Sequence, residues 1–123
     1  MLNNKEILKI AMTQSAIDEN CQPDDFLSSQ NKIVISAANT DARKDLDLPF
    51  FCHLVSYGGN VIASVDASIA DIVETYINKF EVGHCFETLN LYVLNDEFEK
   101  SGMQVCFMAE YFLPDHEQLT RSE

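Results

Sequence analysis

Few residues of this chain could do chemistry, and most of them sit inside apolar runs. Cys52 and His53 stand side by side, as do His84 and Cys85, while Cys106 and Glu110 lie in a later apolar stretch. Two Cys-His pairs suggest zinc, which takes four ligands of this kind at a tetrahedral centre. Adjacent residues on a strand point to opposite faces, so at most one of Cys52 and His53 can reach a shared centre, and there is no C-x-x-C pair. No metal ligand is assigned. A thiol activated by histidine would need Cys85 or Cys106 beside His53, and neither cysteine carries a local signature for that chemistry. Glu110 differs because it interrupts the apolar run MQVCFMAEYFL, where an unpaired carboxylate is costly. His53 is its candidate partner if their two faces lie on one side of a sheet. The pair would then be a structural hydrogen bond, or the acid and base of a small enzyme. Tyr57 and Asn60 flank a two-glycine turn, where they serve the turn itself, and the rim of a sheet is also where small ligands are gripped. His53, Tyr57, Asn60 and Glu110 are therefore the candidate ligand or substrate contacts, with no catalytic residue assigned.

The elements that must position these residues can be read from periodicity. Ile7, Leu8, Ala11, Ser15 and Ala16 share one face of a helix over about residues 4 to 19. Pro23, with Asp24 and Asp25 beside it, opens a short second helix. KIVIS, residues 32 to 36, reads as a buried strand, and residues 39 to 48 as a loop or a single helical turn. PFFCHLVSYGGNVIASV, residues 49 to 65, reads as two strands joined at Gly58 and Gly59, which pairs Val55 with Ile62 and His53 with Ser64. One face then holds Phe51, His53, Val55, Tyr57, Asn60, Ile62 and Ser64. The other holds Cys52, Leu54, Ser56, Val61, Ala63 and Val65. Neither face is polar enough for solvent, so helices must cover both.

Asp66 caps a helix over residues 67 to 79, its stripe formed by Ile69, Ile72, Val73, Tyr76, Ile77 and Phe80. Beyond Gly83 the alternation of Leu89, Leu91 and Val93 predicts a strand that turns into a helix stopped by Gly102. A last strand, residues 103 to 113, ends at Pro114. The expectation is an α/β fold of the layered α+β kind: a mixed, mostly antiparallel sheet with a central hairpin and helices on both faces. Residues 1 to 115 form one domain, and 116 to 123 are a polar tail or the start of a linker.

At 123 residues the chain is long enough to bury a core of its own. No apolar run approaches the roughly 20 residues of a membrane span. Lys5, Glu6 and Lys9 break the first helix in a way that signal peptides do not, so the expected location is cytoplasmic. The cysteines are too scattered for a disulfide framework and are expected as free thiols. Against 8 basic residues stand 20 acidic ones, a net charge of -12, which disfavours nucleic acid and anionic membranes as partners. The surplus disperses the protein or draws a cationic partner.

The order helix, helix, three strands, helix resembles the first two thirds of the GNAT acetyltransferase fold. In that superfamily a strand meander runs into a helix, and a Q/R-x-x-G-x-G/A loop at the junction binds the pyrophosphate of acetyl-CoA. Here the equivalent junction is SVDASIAD, residues 64 to 71, without that loop. A closer resemblance is to the N-terminal region of bacterial two-part GNAT-family proteins, carried by LKIAMTQSAIDENC, LPFFCHLVSYGGNVIASV, HCFETLNLYVLND and GMQVCFMAEYFLPD. It implies a domain that is not catalytic alone, binds no cofactor itself, and packs on an acetyl-CoA-dependent GNAT catalytic domain whose substrate pocket it shapes. The alternative is a stand-alone acidic protein-binding or dimerisation module, a homodimer among its possible forms.

Overall fold

The structure is a computed structural model that describes residues 3–44, 46 and 48–103. The expected strand over 103 to 113, with Cys106 and Glu110, and the polar tail fall outside the described residues apart from Met103. The first helix, α1, spans Asn4–Glu19 as its periodicity predicts. The Asn3 side chain opens it by accepting the Glu6 N–H at 2.9 Å. Asn20 closes it in the left-handed region, φ 66°, with its N–H on the Ala16 carbonyl. Its buried face is shifted from the expected stripe. Met12 and Ala16 are buried while Leu8 is exposed, because among the described residues the sheet packs on the C-terminal half of the helix. A 3-10 turn follows over Pro23–Leu27, where Asp25 accepts the Gln22 N–H at 2.8 Å and Phe26 is buried.

Three strands, β1 at Lys32–Ile35, β2 at Cys52–Val55 and β3 at Ile62–Val65, form one mixed sheet in the order β1-β3-β2. The β2–β3 hairpin has the expected register, with Val55 opposite Ile62 and His53 opposite Ser64. Its connection is wider than a two-residue turn, and of the two glycines only Gly58 needs positive φ, at 111°. β1 does not continue a meander. It passes over β2 and pairs in parallel with β3, Lys32 opposite Ile62 and Ile35 opposite Val65. Expected as a buried strand, it is half-exposed, with Ile35 at 49%. The reason is its outer place, since among the described residues it has one neighbouring strand.

Helical structure covers both faces of this sheet. On one side Met12, Ala16 and Phe26 meet Ile62, with Val34, Val55 and Tyr57 packed around them. On the other, Val61, Ala63 and Val65 meet Ile69, Val73, Tyr76 and Ile77, then Leu94 and Phe98. The two faces are those that alternation assigns, except for Phe51. It lies before β2 begins and turns to the second side, where its ring meets Phe98 edge-on at 5.4 Å. Each fully buried Val or Ile here stabilises the fold by about 1.5–3 kcal/mol.

After a 3-10 turn at Ala67–Ile69, α2 runs over Ala70–Lys79. Ile72 departs from the expected stripe, being 37% exposed at the edge of the packed face. A 3-10 turn at Val82–Phe86 leads into α3, Thr88–Glu99, so the strand expected from Leu89, Leu91 and Val93 is a helix. The spacing that governs it is Leu91, Leu94 and Phe98, which pack on the core, while Val93 is exposed. Gly102 stops α3 as expected. At φ 73° it donates to the Glu99 carbonyl while Met103 donates to that of Phe98, the paired bonds of a Schellman closure.

Candidate functional site

Three consecutive residues at the end of α1 reach three different segments of the chain. Asp18 accepts the Arg43 backbone N–H at 3.0 Å, the Arg43 Nε–H at 2.6 Å and the Gln14 amide at 3.0 Å. Glu19 Oε1 shares a short hydrogen bond with Nδ1 of His53 on β2. Asn20 donates from its side chain to the Ile35 carbonyl on β1 at 3.1 Å. Arg43, β2 and β1 are thereby tied to one helix end. The position of Glu19 follows from helical geometry. Met12, Ala16 and Glu19 are spaced by four and three, so a carboxylate completes the apolar face.

Both acidic side chains are about 1% exposed, a burial that carboxylates tolerate only when paired. Burial pushes the Glu19 carboxyl above its ordinary range near 4.5. The hydrogen bond and charge of His53 pull it back down, Asp18 raises it further and Arg43 lowers it. The carbonyl end of α1 is itself partly negative and so disfavours an ionised carboxylate. Glu19 Oε2 is buried with no hydrogen-bond partner among the described residues.

His53 presents the opposite aspect, with 35% of its side chain exposed. Its ring stacks on Phe50 at 4.3 Å and 18°, and the Phe50 N–H is anchored on Ser36 Oγ at 2.8 Å. With Nδ1 held by Glu19, its Nε2 makes no hydrogen bond among the described residues. A buried carboxylate that orients an imidazole is the arrangement that fixes a histidine's tautomer and ring orientation. Sequence reasoning found His53 and missed this partner. The available signal was the place of Glu19 on the apolar face of a helix.

The other candidates lie elsewhere. Tyr57 bonds Ser15 Oγ at 2.8 Å and meets the Phe26 ring edge-on at 4.9 Å. Asn60 is wholly buried and donates to the carbonyls of Asp25 at 2.7 Å and Gln30 at 2.9 Å. Both fasten the hairpin loop to α1 and the first 3-10 turn, which is a structural role, and neither is hydrogen-bonded to His53 among the described residues. Glu110 lies outside the described residues.

The cysteines and the remaining histidine pair are positioned differently again. Burial pushes the Cys52 and Cys21 thiols up to about 12, far from thiolate chemistry at neutral pH. Cys85 is buried with its Sγ near the Ile77 and Phe80 carbonyls, while its neighbour His84 is exposed and bonded to Glu87. No group of three or more His, Cys, Asp or Glu suited to a metal ion occurs among the described residues. A groove of about 350 Å³ is lined by residues 38–40, 42–44, 46 and 48, and the Arg43 among them is the one bound to Asp18.

At the β3–α2 junction the Asp66 carboxylate accepts both the backbone N–H and the hydroxyl of Ser68. These two bonds, the hydroxyl's first, hold its carboxyl below the usual range near 3.8. Its own N–H donates to the Phe51 carbonyl at 2.8 Å. The 3-10 turn that leads into α2 is thus capped from within the chain. No helix among the described residues is long and apolar enough to cross a membrane. No family model, curated protein or solved structure matches the chain.

Proposed function

We propose that the chain is an accessory domain of a GNAT-type N-acetyltransferase, not catalytic by itself, which packs on an acetyl-CoA-dependent catalytic domain and shapes its substrate pocket. One observation carries the second half of this reading. That half is supported by the β3–α2 junction, equivalent by resemblance to the one that holds pyrophosphate in GNAT domains, where the negative Asp66 accepts the Ser68 N–H and hydroxyl itself. The quoted strings of sequence support the kinship, and the parallel pairing of β1 marks a departure from the GNAT meander. A cytoplasmic location accompanies the reading, on the strength of Lys5, Glu6 and Lys9 within the first helix, and a lack of nucleic-acid partners, on the strength of the -12 charge.

The exposed apolar side chains Ile10, Leu27, Ile35, Tyr92 and Val93 favour a docking partner, and they equally support the second reading, a stand-alone acidic binding or dimerisation module. Titration calorimetry with acetyl-CoA tests the first. The chain should bind it more weakly than about 1 mM. Saturable micromolar binding that is lost on substitution within residues 64 to 71 would overturn it. The partner is tested by the coding sequence beyond Glu123. A Q/R-x-x-G-x-G/A segment there sustains the accessory reading, and a stop codon turns it to the module.

A further inference from the structure

We propose that Glu19 and His53 form a one-proton latch, which fastens the end of α1 to β2 while the pair keeps its proton and releases that end when the proton is lost. The groups around it leave few ways to balance the charge of Glu19. From its own helix comes Asp18, a second buried carboxylate one residue away. From residues 39 to 46 comes Arg43, which holds Asp18 through two hydrogen bonds. Cys52 of β2 and Cys21 beyond α1 face it as neutral thiols. Lys32 on β1 and Asp25 on the 3-10 turn pair with each other at 3.0 Å. Among the described residues the proton on the pair, whichever of the two side chains carries it, therefore offsets Glu19 at closest range, with Arg43 adding a smaller favourable charge.

Losing that proton changes the balance sharply. A bare carboxylate then sits buried beside Asp18 and the negative end of a helix, with no donor on Oε2 among the described residues. Water offers it more than the protein does. The exposed edge of His53 is the route by which the proton reaches solvent. Because Asp18 and Asn20 flank Glu19 and hold Arg43 and β1, the last turn of α1 loosens its hold on them together. The sign agrees with the electrostatics. A carboxyl raised by folding stabilises the folded state fully below its ordinary value near 4.5, and that stabilisation is lost as pH rises through the raised value.

Native-state hydrogen exchange on the whole chain tests the latch. As pH rises above the ordinary carboxyl value near 4.5, and after correction for intrinsic rates, protection of amides 14 to 21 should fall, by about tenfold for each pH unit beyond the midpoint, the effect of one linked proton. The amides of Val73 and Ile77 in α2 should show no such fall. In Glu19→Gln, which keeps an acceptor for His53 and removes the charge, protection of amides 14 to 21 should stay flat. A flat profile in the unaltered chain, or an unchanged slope in Glu19→Gln, would overturn the latch. Should that variant fail to fold, the carboxyl ¹³C titration of Glu19 in the unaltered chain decides. A midpoint that coincides with the loss of protection sustains it, and one displaced from it sinks it.

Discussion

Asp66 and Glu19 are both carboxylates at the end of a helix, and they are treated in opposite ways. Asp66 stands at the positive start of a helix, open to water, bonded by Ser68 and lowered in pKa. Glu19 stands at the negative end of α1, buried, with one oxygen partnered by His53 and the other by nothing described, and raised in pKa. The first obeys every local preference for acidic residues at helices, and the second breaks them. Positions where local preference and tertiary placement conflict are where function or conditional behaviour is to be sought. Here that points to α1 and β2 and away from the β3–α2 junction.

The contrast can be sharpened first by creating a buried carboxylate that has no partner. Val73 is wholly buried in the core, so Val73→Asp should destabilise the fold by about 4 kcal/mol or more, while Ile72→Asp, one residue along at the edge, should change it by less than about 1 kcal/mol. Urea denaturation compares them, and equal losses would mean that the packed face of α2 is wrongly placed.

Removing the partner of Glu19 comes next. His53→Ala should cost about 3 kcal/mol near neutral pH, the lower end for stranding one member of a buried pair, because His53 is partly solvated. The loss should shrink in acid, where Glu19 takes up a proton of its own. A loss that is the same at both pH values would place the cost in packing against Phe50 instead.

Asp66→Ala is the smallest change and the opposite in sign. A carboxyl held below its ordinary value stabilises the fold above about pH 3.8, and that contribution is lost as pH falls through the lowered value. Melting curves should show a small fall in Tm at neutral pH that disappears in acid. If it persists in acid, the cap does not act through its charge.

How much of this was legible in the sequence depends on how local each signal is. The bounds of α1, the hairpin register and the stop at Gly102 were readable, because periodicity, alternation and turn chemistry act over a few residues. α3 was misread in its first half because Leu89, Leu91 and Val93 alternate by accident of composition, while Leu91, Leu94 and Phe98 set the packing. The parallel partner of β1 was hidden, since nothing in KIVIS specifies which strand it meets. Of the site, His53 was found as a histidine in an apolar hairpin. Glu19 was passed over as one acid among 20. Its meaning depends on which face of α1 meets β2, and a composition that rich in carboxylates conceals the few that are buried.

The place of β3 between its two partners also bears on the order of assembly. The hairpin joins residues as near in sequence as Val55 and Ile62, whereas the parallel ladder joins Lys32 to Ile62. Closing the longer loop from an open chain costs about 1.3 kcal/mol more in chain entropy, by the logarithmic growth of closure cost with length. With the hairpin already in place, only residues 36–51 remain to be closed when Ile35 meets Val65. That segment contains Arg43, so the stretch held by Asp18 is also the one whose closure completes the sheet.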